Sequence, residues 1–179
     1  MNATDCPRRI ISPIEAPPPN TALNYYPQRG TPYIAAVGPW LSPFRTPCVA
    51  PPWGELSAVD LTTRKLLWHV RLGTSQDNGP FGWRLPLPLP TGAPNIGGSV
   101  VTAGGLVFIG ATTDQFIRAF ALSNGKEVWK ARLPAGGQAT PMSYIGSDGR
   151  QYVVITAGGH GALGTRYGDY TVAYALPRR

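Results

Sequence analysis

From Trp53 onward, apolar and polar residues change places over short runs separated by glycine, the pattern of β-strands joined by tight turns. The runs predict strands over 55–60, 66–72, 98–102, 107–112, 116–121, 127–133, 141–145, 152–156 and 170–176. In 116–121 a single charge, Arg118, interrupts a run that otherwise reads as buried. Turn signals stand between the runs: Asn124-Gly125, Ser147-Asp148-Gly149, and Ala-Gly-Gly at 103–105, 135–137 and 157–159. Residues 74–95 break the rhythm with alternating leucine and proline, which predicts a long extended insertion. Residues 1–52 carry Pro17-Pro18-Pro19 and Pro51-Pro52 and no sustained period of 2 or 3.6. They read as an irregular arm, leaving 53–179 as the folded part.

The strands repeat. Ala58-Val59-Asp60-Leu61-Thr62-Thr63-Arg64-Lys65-Leu66-Leu67-Trp68 returns 61 positions on as Ala119-Phe120-Ala121-Leu122-Ser123-Asn124-Gly125-Lys126-Glu127-Val128-Trp129. Each copy is strand, tight turn, strand, and its tryptophan is placed to pack across onto the next unit. Hairpins repeating at this length predict four-stranded sheets arranged radially, an all-β partial β-propeller. The strand count gives half a blade, one full blade and three strands of another. A few blades without the rest of a ring expose sheet edges and apolar faces.

Composition agrees with an all-β reading. Gly 22 and Pro 20 supply turns, 18 aromatic residues (Trp 5, Tyr 8, Phe 5) argue against disorder, and 14% charged residues leave little for solvated helices. The net charge of +7 is scattered rather than clustered with aromatics, so nucleic acid is not an expected partner, whereas an anionic membrane surface fits. Cys6 and Cys48 stay open as a disulfide or as two free thiols, and neither has metal-binding spacing. No run approaches the ~20 apolar residues of a spanning helix. The first residues lack the apolar core of a signal peptide, so a targeting segment would lie upstream of a longer chain.

The tandem Ala-x-Asp-x-x-Thr-Gly-x-x-x-Trp pattern resembles the tryptophan-docking motif of pyrroloquinoline quinone (PQQ) quinoproteins. The first copy has Arg64 in place of Gly; the second has Ala121 and Asn124 in place of Asp and Thr. The runs 133–142, 151–161 and 168–177, with 48–53 and 73–77, resemble the C-terminal portion of the membrane-bound PQQ-dependent glucose dehydrogenases. That resemblance covers about residues 29–179 and implies the last two to three blades of an eight-bladed propeller. It further implies PQQ with Ca²⁺ or Mg²⁺, glucose or a similar aldose oxidised to its lactone, and ubiquinone as electron acceptor. The whole enzyme would face the periplasm from the inner membrane, held by an N-terminal anchor outside this chain. The general-base Asp, its Lys partner and the main metal ligands match no position here, so the resemblance implies no catalytic residue in this chain and no activity for it alone.

Two residues are expected at the cofactor. The resemblance places His160, in Gly158-Gly159-His160-Gly161 just after a strand, in contact with PQQ or substrate. An imidazole there is able to hydrogen-bond a quinone oxygen, and flanking glycines allow close backbone approach. Asp114, at the end of a strand, matches a family Asp near the active site, with a turn-forming role or a pair with Arg118 as the structural alternative. His69 is expected to face solvent, and Trp68 and Trp129 to pack. The sequence Gly159-His160-Gly161-Ala162-Leu163-Gly164 fits GxGxxG, but a strand rather than a helix is predicted after it, so no dinucleotide site is expected. By resemblance the retained His160-Gly161 favours a sugar over quinate or shikimate. A non-catalytic propeller scaffold, which would need neither residue nor PQQ, is the reading from another class.

Overall fold

The computed structural model describes residues 24–30, 33–44, 46–77 and 79–175. The described residues form eleven strands and no α-helix. β1 (Asn24–Pro27) and β2 (Ile34–Val37) make a small antiparallel hairpin. The stretch before Trp53 is therefore not irregular throughout. Four-residue strands among prolines are too short to display a period, and pairing, not pattern, defines them.

β3 (Glu55–Asp60) and β4 (Lys65–Arg71) form a second hairpin. β5 (Ser99–Val101), β6 (Leu106–Ile109), β7 (Phe116–Ala121) and β8 (Glu127–Arg132) follow as a four-stranded antiparallel meander. β9 (Met142–Ile145), β10 (Gln151–Ala157) and β11 (Tyr170–Ala175) complete a three-stranded sheet. This is the half blade, full blade and three strands that the sequence predicts. One strand stops early: the run expected to reach residue 112 ends at Ile109, because Ala111 takes a left-handed φ of 61° and turns the chain.

The repeat is visible in the backbone. The first hairpin shifts register between Ala58 and Val59, and the second between Ala119 and Phe120, the same 61 positions on. Gly125 adopts φ 71° in its turn and Arg64 φ 56° in the equivalent place, so the arginine occupies a conformation suited to glycine. Asp60 holds the first turn by accepting from the amides of Thr62 and Thr63 and the Thr63 hydroxyl. In the second, Asn124 accepts from the Lys126 amide.

The core lies between sheets. Leu72, Val107, Ile109, Ala111 and Phe120 fill the gap between the β3–β4 hairpin and the meander. Ile117, Leu133, Val153, Ile155 and Ala157 fill the gap between the meander and the last sheet. β7 is buried on both faces, which is why its run reads as almost continuously apolar. Trp68 locks the first pair of sheets: its indole N–H donates to the Leu122 carbonyl at 2.7 Å, and its ring leaves no room for a side chain at Gly125. Trp129 meets Tyr174 of the last sheet edge-on, with ring centroids 5.0 Å apart.

Candidate functional site

Because successive strands run antiparallel, their connections alternate between two ends of the sheets. Connections 72–98, 110–115, 133–141 and 158–169 share one end; the tight turns 61–64, 102–105, 122–126 and 146–150 share the other. The first group is stitched together by backbone hydrogen bonds: Thr113 N–H to Pro94 O, Ala111 N–H to Gly137 O, Gly136 N–H to Arg166 O and Gly159 N–H to Gly136 O. Asp114 and His160, which lie 46 residues apart (114 to 160), are both at this end.

Asp114 is fully buried. Its Oδ1 accepts from the Thr112 hydroxyl at 2.6 Å and from Arg118 at 3.0 Å. Its Oδ2 accepts from the Thr74 amide at 2.8 Å, the Thr74 hydroxyl at 2.9 Å and a second Arg118 nitrogen. Burial alone would push this carboxyl up. The Arg118 guanidinium, by hydrogen bond and by charge, together with Thr112 and Thr74, outweighs burial and holds it below the usual carboxylate range. Arg118 is equally buried and also donates to the Thr112 hydroxyl and to Glu127. The pair with Arg118 weighed from the sequence is thus present, and Thr74 ties it to the preceding sheet.

The loop bearing Asp114 is strained on both sides. Ala111 and Gln115 have φ of 61° and 58°, and Thr112 N–H bonds back to Gly110 O across a γ-turn centred on Ala111. Such positions cost on the order of 1–3 kcal/mol each and persist where the surroundings over-determine them. Here Gln138 donates from its side chain to the carbonyls of Ala111 and Thr112, and Ile96 N–H donates to Ala111 O.

His160 is half-buried. Its amide donates to the Thr165 hydroxyl at 2.8 Å, and Thr165 donates in turn to Gln138 Oε1 at 3.0 Å. Its Nδ1 is enclosed and has no hydrogen-bond partner among the described residues. A buried polar nitrogen without a protein partner is where a ligand or a water hydrogen-bonds. Gly159, in φ 78°, lies against the backbone of Arg166 and Tyr167, so its missing side chain lets the loop close on itself. After His160 comes a single 3₁₀ turn, Gly161–Leu163, and then β11, not the helix a dinucleotide site requires.

The two expected residues are not in direct contact. They are joined by a relay of hydrogen bonds: His160 to Thr165, Thr165 to Gln138, Gln138 to the Thr112 backbone, and the Thr112 hydroxyl to Asp114. Sequence reasoning singled out neither Thr165, Gln138, Thr112 nor Thr74. The one signal for them was that Thr74 and Gln138 sit inside glycine-bearing runs at strand ends. His69 is exposed on β4, as expected. Cys48 is disulfide-bonded, which settles its state; Cys6 lies outside the described residues. Among the described residues no three His, Cys, Asp or Glu side chains are grouped to hold a metal ion. A cavity of about 730 Å³, bordered by Leu106, Phe108, Trp129, Val153 and Tyr174, opens toward the other end of the sheets, away from these loops.

Comparison with known proteins follows the same lines. The profile of the PQQ glucose/ethanol/alcohol dehydrogenase β-propeller domain matches residues 7–153. A quinoprotein glucose dehydrogenase of Escherichia coli is 50% identical over 96% of this chain and 22% of its own length. Quinoprotein glucose dehydrogenase A of Acinetobacter calcoaceticus is 52% identical over 88% of the chain and 19% of its own length. A probable quinate dehydrogenase (quinone) of Xanthomonas campestris is 50% identical over 88% of the chain and 20% of its own length. The chain spans about a fifth of the length of these relatives.

Proposed function

Because the chain belongs to the family of PQQ glucose/ethanol/alcohol dehydrogenase β-propeller domains, we propose that it forms part of a propeller that oxidises glucose, or a similar aldose, to its lactone. The observation that carries this reading is the identity of about half of all residues to two glucose dehydrogenases along most of the chain. PQQ, when bound, supplies the quinone that accepts two electrons from the sugar's anomeric carbon, and ubiquinone takes them onward. The enzyme works at the periplasmic face of the inner membrane. Its general base, its lysine partner and the ligands of a Ca²⁺ or Mg²⁺ ion lie outside the described residues.

This chain's own contribution is one wall of the site. The enclosed, unpartnered Nδ1 of His160 suits the cofactor, since a quinone oxygen or carboxylate offers the hydrogen bond that the protein leaves unmade. The His160 backbone is fixed by Thr165, so the imidazole is presented from a braced loop rather than a free one. Asp114, expected near the cofactor, tunes the site from behind the loop. Its oxygens are occupied by five protein donors, so it bears on a ligand through the strained loop it secures.

A second reading, oxidation of quinate or shikimate, is favoured by the equal identity to the quinate dehydrogenase. The full-length gene product, loaded with PQQ and a divalent cation, is assayed with glucose and with quinate against a soluble ubiquinone analogue. Faster turnover of glucose supports the proposal; faster turnover of quinate replaces it with the second reading.

A further inference from the structure

The loop that carries His160 and the loop that carries Asp114 leave strands of different sheets, β10 and β6, and the Gln138 side chain bonds to both. Gln138 is half-buried in the connection after β8. Its Oε1 accepts from the Thr165 hydroxyl at 3.0 Å, and its Nε2 faces the carbonyls of Thr112 at 3.2 Å and Ala111 at 3.5 Å. Hydrogen-bond chemistry leaves this chain one direction only. The His160 amide has to donate, so Thr165 Oγ1 accepts there and gives its single hydrogen to Gln138. Oε1 is thereby the acceptor, and Nε2 carries the hydrogens that the two carbonyls require.

The surroundings are cut to fit that arrangement. A methyl group at Gly136 would overlap both Gln138 Oε1 and Thr165 Oγ1. Gly136 does not have the left-handed φ that would itself call for glycine, so room for the Gln138–Thr165 bond accounts for the missing side chain. His160 in turn is held by Thr165 at both of its backbone polar groups: its amide donates to Oγ1 at 2.8 Å, and its carbonyl accepts from the Thr165 amide at 3.3 Å. At the other end of the chain stands the strained turn of Ala111 and Thr112, whose hydroxyl is fixed to the buried Asp114.

From this geometry we infer that Gln138 is a positioning residue. It sets Thr165, and through it the His160 backbone, against the turn secured by Asp114, so that the enclosed Nδ1 of His160 meets the cofactor already in place. A side chain braced before binding has less freedom to lose, and its contribution is read in affinity. The inference rests on the placement of His160 at PQQ proposed above. Its test uses no substrate, so the outcome is separate from the choice between glucose and quinate.

The full-length apoprotein is titrated with PQQ at fixed Mg²⁺, with binding followed by quenching of tryptophan fluorescence. Wild type, Gln138→Leu, His160→Ala and the double variant are compared. Gln138→Leu is expected to bind about threefold to tenfold more weakly. The double variant should fall within about twofold of His160→Ala, because a residue acting through His160 then has nothing left to position. Gln138→Glu, matched in size but unable to donate to Thr112 at about pH 8, enters the same cycle, so a misfolded leucine variant does not decide the question. It too should weaken binding in the wild-type background and not in His160→Ala. Effects that multiply in the double variants mean that Gln138 acts independently of His160, and overturn the inference. Wild-type affinity in the Gln138 variants overturns it while leaving His160 at the cofactor. Wild-type affinity in His160→Ala removes His160 from the cofactor and the inference with it. Failure of both Gln138 variants to fold makes the residue a structural one and overturns the inference as well.

Discussion

Asp114 and Arg118 show how much one buried pair decides. Both are sequestered from water, and each makes its remaining hydrogen bonds to threonines or Glu127. Removing one partner strands the other charge. Asp114→Asn is therefore expected to cost about 3–5 kcal/mol in urea denaturation, and the double variant Asp114→Asn/Arg118→Met less than the single one. The sign with pH follows from the lowered carboxyl. Stability from the ionised pair is fully present above the unfolded aspartate value of about 3.9 and is lost as pH falls through the lower folded value. Denaturation midpoints measured from about pH 6 down to about pH 3 should fall for the wild type and flatten for the double variant. His160 predicts a different signature. Its imidazole is half-buried with no bond to the protein from Nδ1, so His160→Ala should leave the melting temperature nearly unchanged. In the PQQ-loaded enzyme the same variant should lower kcat/KM or PQQ affinity by about tenfold to a hundredfold. A kinetically silent variant would remove His160 from the site.

At the level of the hairpin, the two copies of the repeat act as each other's control. Gly125 and Arg64 hold the same left-handed position, but Gly125 is buried with the Trp68 ring seated on it while Arg64 is exposed. Arg64→Gly is expected to raise stability by about 0.5–1 kcal/mol, read as a rise of a few degrees in melting temperature. Gly125→Ala should destabilise by more than that gain, because the new methyl group meets both an unfavourable φ and the Trp68 ring. An unchanged melting temperature for Gly125→Ala would mean that Trp68 does not sit where it is described. Most of this was legible beforehand. The turn residues, the period of two and the recurring tryptophan are local signals that a single strand pair already satisfies. The early end of β6 was not legible, because Ala111 is held in its turn by Gly137, Ile96 and Gln138, residues from other connections.

Across the whole molecule, the sheets are stabilised by facing one another. The outer hairpin presents Leu61, Leu66 and Leu67 to solvent, and β11 has β10 on one side only. These are surfaces that another blade would cover in a closed ring. The 179-residue chain by itself is expected to self-associate in sedimentation velocity experiments and to oxidise no glucose when supplied with PQQ. A monodisperse monomer would show that the exposed faces are tolerated.

The sequence by itself determined the strands, their turns, the 61-residue repeat and, through its likeness to a known family, the propeller and the two residues worth attention. Those features depend on neighbours a few positions apart, where alternation, glycine and proline leave little choice. The tertiary structure alone decided what Asp114 and His160 touch. Thr74 reaches Asp114 from 40 positions away, Trp68 reaches Leu122 from 54, and Gln138 reaches Thr165 from 27. Contacts of that span arise only when sheets pack face to face, and no local pattern of apolar and polar residues encodes which loop will meet which.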